Sequence, residues 1–460
     1  MFIKTPIIPT KHTFAKVNAK HELHLEAICV FIALGFFLDD DTFFKDEVCL
    51  KPGYNYTLDN NRNIIHSEPW FNWNYSPKNI SFQEALEGYI DLLTSIMKDQ
   101  IGDNSVILPL SGGLDSRSLA VVLKGLGHSV ESYSYSFTGG YPETRLAQQI
   151  SVACGFDFQS FRIPKGYLWD SIEDLATING CYSEFTHPRQ MAVLPYLKQF
   201  KGVFCLGHWG DVLFDKGVPE DTQASEVITL LLKKMVKPDG MALANALWEV
   251  WNLEGNFGDY LRSRIEVALD RISIDNISAK VRAFKTNQWA HRWTTTNLAV
   301  FSEAHKITLP YYDDRMVEFI NKVPERYLAD RKLQIAHIKT NPELSKITWQ
   351  AQRPFNLHTF KYNTLPYNLP YRIVSKIKRE MKNALGYPYI QRNWELQFVG
   401  RENEKHLKQY LLSPDFLQWI PERLVRESYD KFKTKERVHY SHSVSMLLTL
   451  SLWYKQNGLK

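Results

Sequence analysis

Between Val106 and Gly127 the chain reads VILPLSGGLDSRSLAVVLKGLG, and no other stretch limits the possible folds so tightly. Val106, Ile107, Leu108 and Leu110 form a short apolar run that ends abruptly at Ser111-Gly112-Gly113, after which a helical pattern begins. Short apolar runs bounded by turn signals read as strands buried on both faces, the kind found in parallel sheets covered by helices. The junction also suits a particular ligand chemistry. Small residues let the backbone approach closely, and free N–H groups at a helix start face an anion. Asp115 sits inside this loop, where a bare carboxylate repels phosphate.

The same alternation continues downstream. Strands are expected at 106–110, 129–137, 158–163 and 202–206, with helical stretches between most of them, such as 143–153. Residues 82–98 carry helical spacing in Ala85, Leu86, Tyr89, Leu92, Leu93 and Ile96. The fold class predicted is therefore α/β: a parallel twisted sheet flanked by helices. Its core is expected at about 105–215, with a helical part from about 220 to 460 broken by a Pro- and aromatic-rich stretch at 350–371. Residues 1–75 read as a small β-rich region, with Pro52-Gly53 turning between apolar runs. Ligands on open parallel sheets bind at the carboxyl ends of the strands, so the loops 111–115, 137–141 and 207–211 are expected to meet.

Composition excludes several classes. A formal charge of +5 over 460 residues is too mild to imply nucleic acid. Five scattered cysteines without a CxxC pair point to reduced, buried thiols in a cytoplasmic protein rather than a disulfide frame or zinc site. The opening MFIKTPIIPTKHTFAK has no apolar core of a signal peptide. The most apolar stretch, 27–38, is too short to span a bilayer and runs into Asp39-Asp40-Asp41, so no membrane span is expected. The basic, partly amphipathic stretch 371–389 reads first as a solvated helix face, with contact to an anionic or membrane surface as the alternative.

A phosphate loop of the Walker type has a lysine after its last glycine; here Leu114 and Asp115 follow Gly113. Magnesium resolves the sign problem, because it takes carboxylate oxygens on one side and phosphate oxygens on the other. A second carboxylate is then needed at another strand end. GVFCLGHWGDVLFD supplies Asp211, again after glycines that permit a tight, ligand-facing loop. Read alone, each loop is also compatible with a glycine-rich turn carrying a capping Asp.

Taken together, these segments resemble the synthetase domain of the asparagine synthetase family, a group of N-type ATP pyrophosphatases. LSGGLDSR resembles its pyrophosphate loop, TGGYPETRLAQQI its second segment, and LGHWGDVLF its Ser-Gly-x-Gly-x-Asp-Glu-Leu-Phe segment. LPYYDDRMVEFINKVPERYL resembles the Pro-Phe-Leu-Asp segment and DRKLQIAHIKTNPELSKI the lysine-led helix after it. The order is kept over roughly residues 23–455. The resemblance implies an adenine nucleotide α-hydrolase-like fold, with residues 1–75 as a truncated glutaminase-like remnant and 76–460 as the synthetase domain. It implies an enzyme that takes ATP and Mg2+, forms an acyl-adenylate and releases pyrophosphate, after which an amine or ammonia displaces AMP. Carried over, Ser111, Gly112, Gly113, Asp115 and Ser116 hold pyrophosphate. Leu110, Ser136, Leu206 and Gly207 line the adenosine site, Asp115 and Asp211 hold magnesium, and Lys332 is catalytic.

Three departures shape the expectation. Phe2 stands where glutamine-dependent members carry a cysteine. Nitrogen is therefore expected from an amine substrate, free ammonia or a separate glutaminase partner. His208 replaces the glutamate of asparagine synthetases and the tyrosine of β-lactam synthetases, which makes it an acid–base candidate; Val212 replaces the glutamate after the metal ligand. Lys306-Ile307-Thr308-Leu309-Pro310 replaces a Glu-x-Arg before the Pro-Phe-Leu-Asp segment. An intact adenylating half with a rewritten acceptor half resembles members recruited to other amides, such as β-lactam synthetases and lasso-peptide cyclases. The competing readings are a tRNA-modifying adenylating enzyme and a non-catalytic nucleotide-binding descendant.

Overall fold

The computed structural model describes residues 1–140, 143–185, 189–349, 353–386 and 389–458. Its centre is a five-stranded, wholly parallel sheet: β1 (Val106–Pro109), β2 (Val130–Phe137), β3 (Asp157–Ile163), β4 (Val203–Cys205) and β5 (Ile307–Thr308), in the order β5-β4-β1-β2-β3. Val106 pairs with Val130 on one side and Val203 on the other, which makes β1 a central strand. Val106, Ile107 and Leu108 are fully buried, as a strand covered on both faces requires. β5, two residues at the edge beside β4, falls within Lys306–Pro310; the Thr308 hydroxyl donates to the Phe204 carbonyl and pins it.

The helices that matter for the site, in chain order, are α1 (Leu25–Leu34), α2 (Phe82–Ile101), α3 (Leu114–Leu126), α4 (Val227–Met235), α5 (Ile277–Lys285), α6 (Lys332–Lys339), α7 (Leu369–Ala384) and α8 (Arg437–Asn457). α2 begins with a capping box in which Ser81 and Glu84 bond each other's backbone N–H. α5 does not stop at Lys285: it continues through π-helical turns at Thr286–Thr294 into Thr295–Ser302.

The apolar stretch read from the sequence becomes α1, whose residues 27–34 are buried all round. It joins the main core: His442 of α8 meets the Ile32 carbonyl at 2.8 Å, and Phe43, beyond the helix, stacks on Trp453 of α8 at 4.2 Å. Residues 1–69 otherwise contribute two small antiparallel sheets. All five cysteines are free and buried. Among the described residues no helix is long and apolar enough to cross a membrane.

Candidate active site

At the carboxyl end of β1 the chain turns through Leu110–Gly113 into α3, and at the end of β4 it turns through Leu206–Trp209 into a short helix, Gly210–Leu213. These two turns face each other across a cleft of about 450 Å³. Ser111, Gly113, Asp115, Ser116, Leu206, Gly207, His208 and Asp211 all line it. Two of the three expected loops therefore converge, 111–115 and 207–211, while no described residue of 137–141 lines the cleft. Glycine is what lets them. A side-chain carbon on Gly207 would stand 3.1 Å from Asp115 Cβ and from the Ser116 nitrogen, and one on Gly210 would overlap Asp115 Oδ1.

In the loop 111–116 the backbone donors are held by the loop's own hydroxyls. The Gly113 N–H donates to Ser111 Oγ at 3.1 Å, and the Ser111 N–H to Ser116 Oγ at 3.3 Å. Both are long bonds that an anion can replace. Arg117, fully buried in the first turns of α3, fixes the loop from behind. Its guanidinium donates to the carbonyls of Gly112, Leu344, Ile347, Thr348 and Trp349 at 2.7–3.3 Å. Burial pulls it down to about 10, still far enough above neutrality to stay charged.

Asp115 is the electrostatic centre. Arg331 and Gln334 both donate to its Oδ1, Gln334 at 2.9 Å. Beneath it runs a buried chain of hydroxyls and amides: Gln334 to Tyr311 (3.2 Å), Tyr311 to Tyr89 (3.3 Å), Tyr89 to Ser118 (3.0 Å) and Ser118 to His337 (2.8 Å). Burial raises Asp115 to about 6, against the pull of Arg331 and with a further push from the Asp211 charge. Three non-glycine residues here adopt left-handed backbone conformations: Trp209 (φ +75°), Asp330 (+59°) and Arg331 (+62°). Such strain survives where the surroundings over-determine it, most often at functional sites.

The opposite wall is cationic and aromatic. Lys234 from α4, Lys285 from the end of α5, and Trp289 and Trp293 from the π-helical turns all face the cleft. Burial and the neighbouring Lys234 charge pull Lys285 down to about 7, and its ammonium donates to the Gly217 carbonyl at 2.6 Å. His208 packs edge-on against Phe301 at 5.7 Å, and its buried Nδ1 has no hydrogen-bond partner among the described residues. Burial pulls it down to about 4, with Asp211 opposing. The neutral-range titration expected of this imidazole is thus displaced: without ligand it is neutral at pH 7.

Not every sequence candidate reaches the cleft lining. Leu110 is buried, with its N–H on the Tyr133 carbonyl, Gly112 is buried against Arg117, and Ser136 lies on β2 opposite Arg162. Lys332 begins α6 with its ammonium on the Arg326 carbonyl at 2.9 Å, directed to the exposed side; the preceding Arg331 makes the contact with Asp115. Of the loop 137–141, Phe137 ends β2, residues 138–140 follow it, and Tyr141 lies outside the described residues, as do Pro142 of the second segment and 350–352 of the Pro- and aromatic-rich stretch. Sequence reading missed Arg331, Gln334, Tyr311, Lys234, Lys285 and the two tryptophans. Only Arg331, Gln334 and Tyr311 had a usable signal, since all three fall inside segments that resemble the family's.

A sequence model of the asparagine synthase family matches residues 89–334, more than half of the chain. The chain belongs to the asparagine synthase family. That membership supports an ATP-dependent ligase, and the matched span carries β1 to β5 and both carboxylates. No curated protein matches this family member. Among solved structures it is similar to an NMN synthetase from Francisella tularensis: 16% identity over 45% of this chain and 94% of that one, TM-score 0.23. It is also similar to an NH3-dependent NAD synthetase from Campylobacter jejuni: 18% identity over 42% and 96%, TM-score 0.21. At those scores neither likeness bears on function.

Proposed function

We propose that this protein activates a carboxylic acid with ATP as an acyl-adenylate and transfers the acyl group to an amine or ammonia. The observation that carries the reading is the convergence of Asp115 and Asp211 on a cleft whose floor is a phosphate-type loop. The donor set fits magnesium. Two carboxylates face the cleft, and the described residues hold no cluster of three or more His, Cys, Asp or Glu suited to a metal. Magnesium commonly keeps waters and substrate phosphates for its remaining positions. Asp115 and Asp211 would hold the ion, which would supply neutralisation of the phosphate charge.

In this reading Ser111, Gly112, Gly113, Asp115 and Ser116 seat the pyrophosphate portion of ATP, and Leu110, Ser136, Leu206 and Gly207 the adenosine. The acid's carboxylate oxygen attacks the α-phosphorus, the bond to the β-phosphate oxygen breaks, and pyrophosphate leaves. Lys234 and Lys285 balance the negative charge from the facing wall. The amine nitrogen then attacks the acyl carbon, AMP departs, and the proton released from nitrogen passes to a base. His208 is the candidate: a neutral imidazole with an unpartnered Nδ1 can accept it. Lys332 serves as the catalytic lysine only if its ammonium leaves the Arg326 carbonyl.

Glutamine hydrolysis is not part of the proposal. It needs an accessible thiolate, while all five cysteines are buried and burial pushes the Cys29, Cys181 and Cys205 thiols up. Nitrogen comes as an amine, as ammonia, or from a separate glutaminase. The test is exchange of labelled pyrophosphate into ATP with a panel of carboxylic acids and no amine. Acid-dependent exchange supports adenylation. Failure to bind MgATP, measured by calorimetry, overturns the reading; MgATP binding without exchange for any acid favours the non-catalytic nucleotide-binding descendant.

A further inference from the structure

None of the sixteen residues of α7 is buried, although every second or third of them is apolar. Leu369, Ile373, Val374, Ile377 and Met381 are 47–60% exposed, and Leu385, just beyond the helix, is 71% exposed. Leu365 and Tyr367 lead into it at 57% and 58%. Eight of the sixteen exposed large apolar side chains among the described residues therefore fall between 365 and 385. Apolar side chains scattered singly over a surface mean little; gathered on one element they mark a contact.

The arrangement is directional. At about 100° per residue, Leu369, Ile373, Ile377, Val374, Met381 and Leu385 fall within one arc of about 160°. Tyr371, Ser375 and Arg379 are the half-buried residues between 371 and 379, and they lie on the opposite side, toward the protein. The apolar stripe thus points away from the core. Arg372 and Lys376 border it on one edge and Lys378 and Lys382 on the other, all exposed and none in an ion pair among the described residues. Five cations against the single acid Glu380 give the helix a formal charge of +4, nearly all of the chain's net +5.

We propose that α7 lies in the plane of an anionic lipid surface, its apolar stripe at the acyl boundary and its bordering lysines and arginines at the headgroups. Interfacial helices have this pattern: cations whose long apolar stems reach up from the edges of an apolar face. A second copy of the chain is a poor occupant, because two such faces would bring +4 against +4. The helix does not span the bilayer, so the attachment is peripheral and salt-sensitive.

The experiment is sedimentation of the full chain with phosphatidylcholine vesicles, with or without phosphatidylglycerol, at low and high salt. Wild type is expected to partition at least tenfold more strongly onto the phosphatidylglycerol vesicles and to be released by salt. Each of Lys376→Glu and Lys378→Glu should weaken partitioning roughly fivefold or more, and Ile377→Glu with Met381→Glu should abolish it. Both apolar positions are already exposed, so unchanged thermal melting will show that the fold is intact. Absence of partitioning by folded wild type overturns the proposal, as does partitioning unaffected by the double substitution. So does a concentration-dependent dimer that the double substitution dissolves while vesicles remain unbound.

Discussion

Asp115→Asn separates the stability of the cleft from its use. The folded carboxyl is raised from the ordinary 3.8 to about 6, so the fold favours its protonated form. The stability it contributes is complete below about pH 4 and is lost as pH rises through about 6. A rise of that size corresponds to at most about 3 kcal/mol lost at pH 8, roughly half of it between pH 5 and pH 8. Asparagine has the same shape, and its carbonyl oxygen can still accept from Arg331 and Gln334. The variant should therefore unfold later in urea at pH 8, by about 1–3 kcal/mol, with the advantage shrinking toward pH 5. In the proposed reading it also loses a magnesium ligand, so any rise in melting temperature that MgATP gives wild type should largely vanish. Equal stability at both pH values would refute the buried carboxylate. Undiminished stabilisation by MgATP would refute the metal site.

Three further outcomes follow from the same geometry. Arg117→Lys cannot reach five carbonyls with three donors; a loss of about 2–4 kcal/mol in urea unfolding is expected, and a loss below about 1 would show that the strap 344–349 is held by other contacts. Gly210→Ala forces a carbon onto Asp115 Oδ1 and to 2.9 Å from Tyr311; it should cost about 1–3 kcal/mol and at least tenfold in MgATP affinity by calorimetry, with Gly207→Ala milder. His208→Gln should slow product formation about a hundredfold or more, yet leave an acid limb near pH 6 in place, because Asp115 and not the imidazole titrates there; disappearance of that limb would reassign it to His208.

What could be read from the sequence was what the sequence encodes locally. Four of the five sheet strands, the helix following the first loop and the helix beginning at Phe82 carry their own periodicity and glycine punctuation, and each lies within a few residues of its expected place. β5 did not, because two residues hold no period. The loops at 111–115 and 207–211 were placed together by a topological rule about strand ends, and the glycines that make the approach possible are the ones the sequence shows. The cationic wall was illegible for a different reason. Lys234 and Lys285 lie on helices that any solvated lysine could decorate, and Trp289 and Trp293 are turned inward by π-helical turns that break the 3.6-residue period by which a buried face is recognised. Arg331 meets Asp115 across more than two hundred residues of chain, a contact that no local pattern announces.

The cleft holds like charges in pairs. Asp115 and Asp211 push on one another from facing loops, and Lys234 and Lys285 push on one another from the opposite wall. Neither pair is cancelled by the other, and Arg331 meets only one of the four. Folding alone would select against such an arrangement, since the repulsion disfavours the charged forms of Asp115 and Lys285. In the proposed reaction the two repulsions have one remedy. A cation between the carboxylates and a polyphosphate between that cation and the lysines would relieve both at once, and the energy released is available for binding. In that reading the same balance accounts for Asp115 inside a loop proposed to bind an anion: its charge is unfavourable until cation and anion arrive together. MgATP should therefore stabilise the chain far more than magnesium or ATP alone, and a melting-temperature rise that is merely the sum of the two separate effects would sink this account.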